Sequence, residues 1–312
     1  EAVEYIIFEV FESEIDVNFE TTGSCAEPWE AFAPFLEEID LSCSGLDAFS
    51  QAARNMGESG CVSWGGPAEH CEWISGTCES IGDMGGEVTV DHNSEWNLVG
   101  LPLDVDDPHY LAIFPDAVEN TLFSFDLTYN LESTLVNGDG YWLRFNDAGT
   151  TTITGAPLNE LTITLAQDWN LISGIAETIS VYSISDPDSI IVWNTLFGFD
   201  LTYVSTDELE AGKGYWIRAY EAGDITLTAG ALAKTEGQDF SLTGKANTLS
   251  INGSELYFGL ELSDIERLSY SLPPIPPAGA FDARFKDGWR VVKDYGEIEV
   301  FPTSETLTIS YD

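Results

Sequence analysis

A mainly β fold is predicted, built of tandem β-sandwich-like modules with a small α-containing, disulfide-bearing insert near the N-terminus. Three observations predict it. From residue 88 onward Val, Thr, Ile and Leu alternate with polar residues and are interrupted by Asn-Gly, Asp-Gly and Asp-Pro pairs, the pattern of short half-buried strands joined by tight turns. One long stretch of the chain occurs twice. All five cysteines lie between residues 25 and 78.

In chain order, residues 1–20 form the first segment. Its "YIIFEVFESEIDVNFE" (5–20) is rich in β-branched and aromatic residues and ends in alternation at Ile15, Val17 and Phe19, which predicts one or two strands. Residues 21–87 form a cysteine-containing helical and loop subdomain. In "EPWEAFAPFLEEID" (27–40) the apolar residues Trp29, Phe32, Phe35, Leu36 and Ile39 recur every three to four positions, one face of a short helix. "GLDAFSQAARNMG" (45–57) predicts a second helix, stopped by Gly57. Cys25, Cys43, Cys61, Cys71 and Cys78 are the disulfide candidates of the loop-rich remainder, giving two bridges and one thiol in an exported chain. A zinc site on His70, Cys71 and Cys78 is the alternative, with a spacing unlike that of a standard finger.

Module 1 (88–168) and module 2 (169–245) come from the repeat. "WNLVGLPL" (96–103) matches "WNLISGIA" (169–176), "TLFSFDLTY" (121–129) matches "TLFGFDLTY" (195–203), and "AGTTTITGAPL" (148–158) matches "AGDITLTAGAL" (222–232). "GDGYWLRF" (138–145) returns as "GKGYWIRA" (212–219). The offset is a constant 74 residues from Thr121 to Leu158 and 73 at Trp96 and Trp169, which places one length change in a loop. A C-terminal β module (246–312) follows, with the stiff "YSLPPIPPAGAFDARF" (270–285) and the strand-like "ETLTISYD" (305–312). The prolines favour an extended polyproline segment.

The repeated Gly-x-Gly-aromatic-aromatic is read as a joint. A phosphate-binding loop needs a third glycine and a helix start, and Leu143 and Ile217 stand at the third-glycine position. Gly138, Gly140, Gly212 and Gly214 suit a tight turn. Tyr141 and Trp142, like Tyr215 and Trp216, then point to opposite faces of a strand. One ring seals its own module's core and the other caps a neighbour. Arg144 and Arg218 are expected to pair with a carboxylate such as Asp126 or Asp200. Trp29, Trp64 and Trp73, outside the repeat, are the candidates for stacking on sugar rings.

With 54 acidic and 11 basic residues the net charge is −43. Phosphate contacts need clustered Lys and Arg, so nucleic acid is excluded as a partner. Self-repulsion at this density calls for a saline medium or bound divalent cations. No cofactor is expected, with Ca2+ the one ion the acidic surface would suit, although "DVDDPH" (104–109) and "NGDG" (137–140) lack the spacing of a calcium loop. No apolar run reaches the length of a membrane span. His70, His92 and His109 lie in loop-like contexts, with neither a nucleophile elbow nor a His-Glu-x-x-His pair. The chain is therefore expected to be no enzyme.

"WNLVGLPL", the paired "GYW" strands, "YSLPPIPPAGAFDARF" and the final "TLTISYD" resemble β-rich tandem modules near the C-terminal ends of large secreted or surface proteins of Bacteroidota-like and related marine bacteria. Such proteins are commonly exported by the type IX secretion system. The resemblance covers about 96–312 and implies an extracellular stalk, adhesin or assembly role, with no catalytic residue to carry over. The start at Glu1 and the lack of the sorting domain that normally follows such modules predict a processed or excised piece of a longer precursor. The resulting expectation is a non-catalytic cell-surface, filament-forming or adhesive subunit that associates with itself or with other surface proteins. A glycan-binding accessory region of a larger secreted enzyme is the alternative.

Overall fold

The computed structural model describes residues 86–232, 245–304 and 306–311, together with the backbone of four strands within 5–80. The chain divides into two compact units, 1–84 and 85–312. In the first, β1 (Tyr5–Phe11) and β2 (Glu14–Glu20) pair with each other from Tyr5↔Glu20 to Phe11↔Glu14. The expected one or two strands are thus two, closed into a hairpin. A second hairpin joins β3 (Cys71–Ile74) to β4 (Thr77–Ser80), with Cys71 opposite Ser80 and Cys78 opposite Trp73. The two expected helices, His70, Cys25, Cys43, Cys61, Trp29 and Trp64 lie outside the described residues.

The second unit is mainly β, as the alternation and the repeat predict. Its first module runs through β5 (Gly86–His92), β6 (Glu95–Gly100), β7 (Leu103–Asp104), a one-turn helix (Tyr110–Ile113), β8 (Phe123–Asp126), β9 (Thr128–Leu131), β10 (Gly140–Phe145) and β11 (Gly149–Pro157). Its second runs through β12 (Glu160–Leu165), β13 (Asp168–Ser173), β14 (Ile179–Ser180), β15 (Phe197–Phe199), β16 (Tyr203–Ser205), β17 (Glu208–Leu209), β18 (Gly214–Ala219) and β19 (Gly223–Thr228). The main sheets have the orders β6-β10-β8-β9 and β13-β18-β15-β16, one topology written twice. The ladders β5–β11 and β12–β19 correspond in the same way. Strand β12, which the sequence places at the end of the first module, therefore pairs within the second. It does so because its Ile163 and Leu165 alternate inward against Ile225 and Leu227.

Burial explains the layering. On β5 and β11 the inward side is every second residue, with Val90 and Ile153 in the core, the period of a sheet with one wet face. β6 and β10 are buried on nearly every residue, so both of their faces are covered. One face, with Val99, Tyr141, Leu143 and Phe145, packs on β5 and β11. The other, with Trp96, Leu98 and Trp142, meets Leu171, Phe197 and Trp216 of the second module. Each module is thus a small β-sandwich, and the two sandwiches share a third apolar layer.

The third module holds β20 (Asn247–Ile251), β21 (Ser254–Phe258), β22 (Asp282–Phe285), β23 (Val291–Val292), β24 (Ile298–Phe301) and β25 (Ile309–Tyr311). They form the sheet β23-β21-β20-β25 and the ladder β22–β24 around Leu256, Phe281, Ala283 and Phe285. A helix at Asp264–Leu268 starts with a capping box, Ser263 and Glu266 each accepting from the other's backbone N–H. Residues 273–280 form neither helix nor strand. Among the described residues no helix is long and apolar enough to cross a membrane.

Candidate functional site

The repeated "GYW" strands meet at the shared layer. β10 presents Tyr141 to its own core, where the phenol oxygen accepts the Val136 N–H at 3.1 Å. In β18, Tyr215 accepts the Glu210 N–H at 2.9 Å in the same manner. The tryptophans face the other way. Trp142 packs edge-on to Phe199 of the second module (4.7 Å, 75°), and Trp216 to Phe125 of the first (4.9 Å, 77°). Because Phe199 is the counterpart of Phe125 and Trp216 that of Trp142, each copy gives what it receives. This is the isologous pattern of a two-fold dimer, realised within one chain.

The backbones obey the same exchange. Gly100 N–H donates to Gly212 O at 3.0 Å, and its counterpart Ser173 N–H donates to Gly138 O at 2.8 Å. Gly138 and Gly212 hold φ of +89° and +79°, which glycine adopts without steric cost. At Gly140 an added Cβ would lie 2.4 Å from Ile172 O, and at Gly214 2.7 Å from Val99 O. The second glycine of the motif is there because the partner copy's main chain passes over it. Trp216 Nε1 is buried with no hydrogen-bond partner among the described residues, whereas Trp142 Nε1 lies beside the Tyr129 phenol of its own copy.

The arginine expectation needs correction. Arg144 pairs with Glu95 (2.6 Å) and Arg218 with Asp168 (2.6 Å), the residues directly before each repeated tryptophan. Strand pairing decides this: Arg144 lies opposite Trp96 and Arg218 opposite Trp169, one step from those acids. Asp126 and Asp200 sit instead at the far turns, where Asp200 accepts from Asn93 Nδ2 (2.8 Å).

One edge of the aromatic layer is closed by the proline-rich stretch of the third module. Tyr203 Oη donates to Pro274 O (2.7 Å), Tyr129 Oη to Ile275 O (2.8 Å) and Trp96 Nε1 to Ala278 O (3.2 Å). An extended proline-rich backbone leaves its carbonyls without internal partners, and these aromatic donors take them. Burial raises both phenols above their ordinary pKa, which keeps them protonated as donors. Arg284 Nη1 fixes the start of the stretch through Pro273 O (2.7 Å) while its Nε bonds Asp282. Burial pushes the Asp282 carboxyl up against the pull of this guanidinium. Arg290 lies 5.6 Å from the Phe197 ring, and Thr202 Oγ1 meets Ser254 Oγ at 2.5 Å.

The sequence singled out Trp96, Trp169, Gly140, Gly214, Tyr141, Tyr215, Trp142 and Trp216; the fold brings the four tryptophans to the shared layer and the two glycines against the opposite copy's main chain, while Tyr141 and Tyr215 face their own cores. It did not single out Tyr129, Tyr203, Gly100 or Ser173. Their signal was present in the exact recurrence of "FDLTY" and in the Gly-to-Ser change within "WNLVG" and "WNLIS". Of the disulfide and stacking candidates, Cys71, Cys78 and Trp73 are described by hairpin register alone. His92 is buried and stacked on Phe145 at 3.7 Å, while His109 caps a helix by accepting the Leu111 N–H. Among the described residues no group of three His, Cys, Asp or Glu side chains is placed to hold a metal ion. The chain matches no protein-family model, no curated protein and no solved structure.

Proposed function

We propose that the chain is a non-catalytic, extracellular structural subunit of a cell surface, filament-forming or adhesive, associating through its sheet edges with itself or with other surface proteins. The observation that carries this reading is β25. It ends the sheet order of the third module and pairs on one side with β20. Its other side has no partner among the described residues, and Ile309 and Tyr311 are 59% and 85% exposed. A strand edge that carries apolar residues and no Lys or Pro is a template for another strand. The charge of −43 makes association depend on salt. Sedimentation velocity and electron microscopy across a range of ionic strength test it. Oligomers or fibres that grow with salt, and that Ile309→Lys abolishes, are expected; a monomer under all conditions rejects the reading.

A second reading, a glycan-binding accessory region, is favoured by a shallow depression lined by Tyr182, Trp193, Asn194 and Asp207. Tyr182 and Trp193 stack there at 5.7 Å, and aromatic faces beside amides and acids are what sugar rings meet. Binding on a glycan array in saline buffer, lost in Trp193→Ala, supports it, and a blank array removes it.

A further inference from the structure

The two modules differ at one equivalent place, beside the turns at Asn120 and Asn194. Tyr110 N–H donates to Ser133 O (3.1 Å) and Val181 N–H to Asp207 O (2.8 Å), and Ser133 and Asp207 are related by the repeat's 74-residue offset. Val181 therefore stands where Tyr110 stands in the first module. Tyr110 is 5% exposed and packs in the core with Ala117, Leu122 and Leu143, and its phenol oxygen accepts the Asn120 N–H at 2.8 Å. Valine has no ring to fill that place and no oxygen to reach the asparagine. The second module has a depression there, floored by Val181 and by Ile191, Leu196 and Ile217, the counterparts of Ala117, Leu122 and Leu143. Asn194 lines it too. Its backbone keeps the left-handed φ of Asn120, +60° in both, and the following threonine hydroxyl fixes each turn in the same way. The Asn194 N–H thus points as that of Asn120 does, yet meets no acceptor among the described residues. The rim has gained aromatic walls: Tyr182 and Trp193 stand where the first module has Leu111 and Glu119, with ring planes 19° apart.

We infer that this depression is a binding site for a phenol ring, the side chain of a tyrosine presented by a partner protein. The chemistry of the occupant is read from Tyr110, which shows what the same backbone cradle holds in the first module: a flat ring among aliphatic side chains, with its hydroxyl oxygen on the asparagine N–H. In the second module the ring has to come from outside, because the residue at that position is valine. Apolar walls with one convergent donor set both the place of the ring and its direction. A phenylalanine ring would leave the Asn194 N–H unmet, so the site favours tyrosine. Ile191, larger than Ala117, narrows the floor and keeps the occupant near the rim, within reach of Trp193. The site needs no assembly through β25, and a tyrosine competes there with a sugar ring for the same depression.

The test is an NMR titration of the full chain, labelled with nitrogen-15, using N-acetyl-tyrosinamide, N-acetyl-phenylalaninamide and a methyl glucoside as probes. The Asn194 amide and Trp193 indole signals are expected to shift and saturate with the tyrosine probe, at a dissociation constant on the order of a millimolar, as a ligand this small allows. The phenylalanine probe is expected to bind roughly threefold to tenfold more weakly, the loss of one hydrogen bond. Val181→Tyr combined with Ile191→Ala gives the second module the pair that the first has, and its own phenol is expected to occupy the depression and abolish the tyrosine shifts. Trp193→Glu, again the first module's residue, removes one wall and is expected to weaken the tyrosine probe by a similar factor. No shift at Asn194 overturns the proposal, and so does equal binding of the two aromatic probes. Shifts with the glucoside alone overturn it and return the depression to the sugar reading. Tyrosine shifts that survive both Val181→Tyr with Ile191→Ala and Trp193→Glu place the probe elsewhere and likewise overturn it.

Discussion

The two copies of the repeated module differ least where they touch each other and most where they do not. Trp142 and Trp216, Phe125 and Phe199, Gly140 and Gly214 each make the same contact with the opposite copy. Away from the interface, the first copy has a one-turn helix at Tyr110–Ile113 where the second has a 3-10 turn at Val181–Ser183. A self-complementary interface constrains both halves at once, since a change on one side must fit an unchanged surface on the other. Loops facing solvent carry no such condition. The remaining difference is imposed from outside: the third module buries Trp96 and Tyr203 more deeply than their counterparts Trp169 and Tyr129.

Substitutions made in matched pairs separate these causes. The largest effect is expected from Trp142→Ala and Trp216→Ala. Each removes a fully buried indole from the same layer and costs about 3–5 kcal/mol. Urea denaturation should give nearly equal losses; a loss confined to one copy would break the symmetry. Gly140→Ala and Gly214→Ala come next, at about 1–3 kcal/mol. Gly140→Ala should be the worse, because its Cβ would lie closer to the opposite carbonyl.

Smaller effects report on the third module. Tyr129→Phe and Tyr203→Phe each remove one donor to the proline-rich stretch and should cost about 1 kcal/mol by the same assay. The pH dependence has a definite sign. Burial raises Tyr129, Tyr141, Tyr203 and Tyr215 above their ordinary value, so their neutral forms favour the fold. That contribution is complete below about pH 10, the unfolded value, and is lost as pH rises toward the folded ones. Tyrosinate absorbance of these four should therefore appear together with unfolding. The smallest effect is Arg144→Ala against Arg218→Ala, each under about 1 kcal/mol. Arg218→Ala should cost more, since that side chain is 17% exposed against 40% and also lies near Trp169.

The sequence made the repeat, the mainly β class and the opposite orientation of Tyr141 and Trp142 legible, because strand period and constant offset are local properties. The partners of Arg144 and Arg218 were not legible, since antiparallel register decides them and register depends on turns. The placement of β12 failed for a related reason: the repeat was anchored on Trp169, yet the module's first strand precedes the tryptophan. Nothing local marks Gly140 as lying under Ile172, and nothing in "PPIPPAG" names the tyrosines that hold it. Those are long-range contacts, visible only once the copies are folded together.

The central claim is that the two modules form one unit through a reciprocal interface. Amide hydrogen exchange at Gly100 and Ser173 tests it most directly, because each of these N–H groups donates to the opposite copy. The account predicts that both are protected to the same degree, and as strongly as the amides of Trp142 and Trp216 within their sheets, since they open only when the copies separate. Rapid exchange at either one, with the sheets still protected, would contradict it.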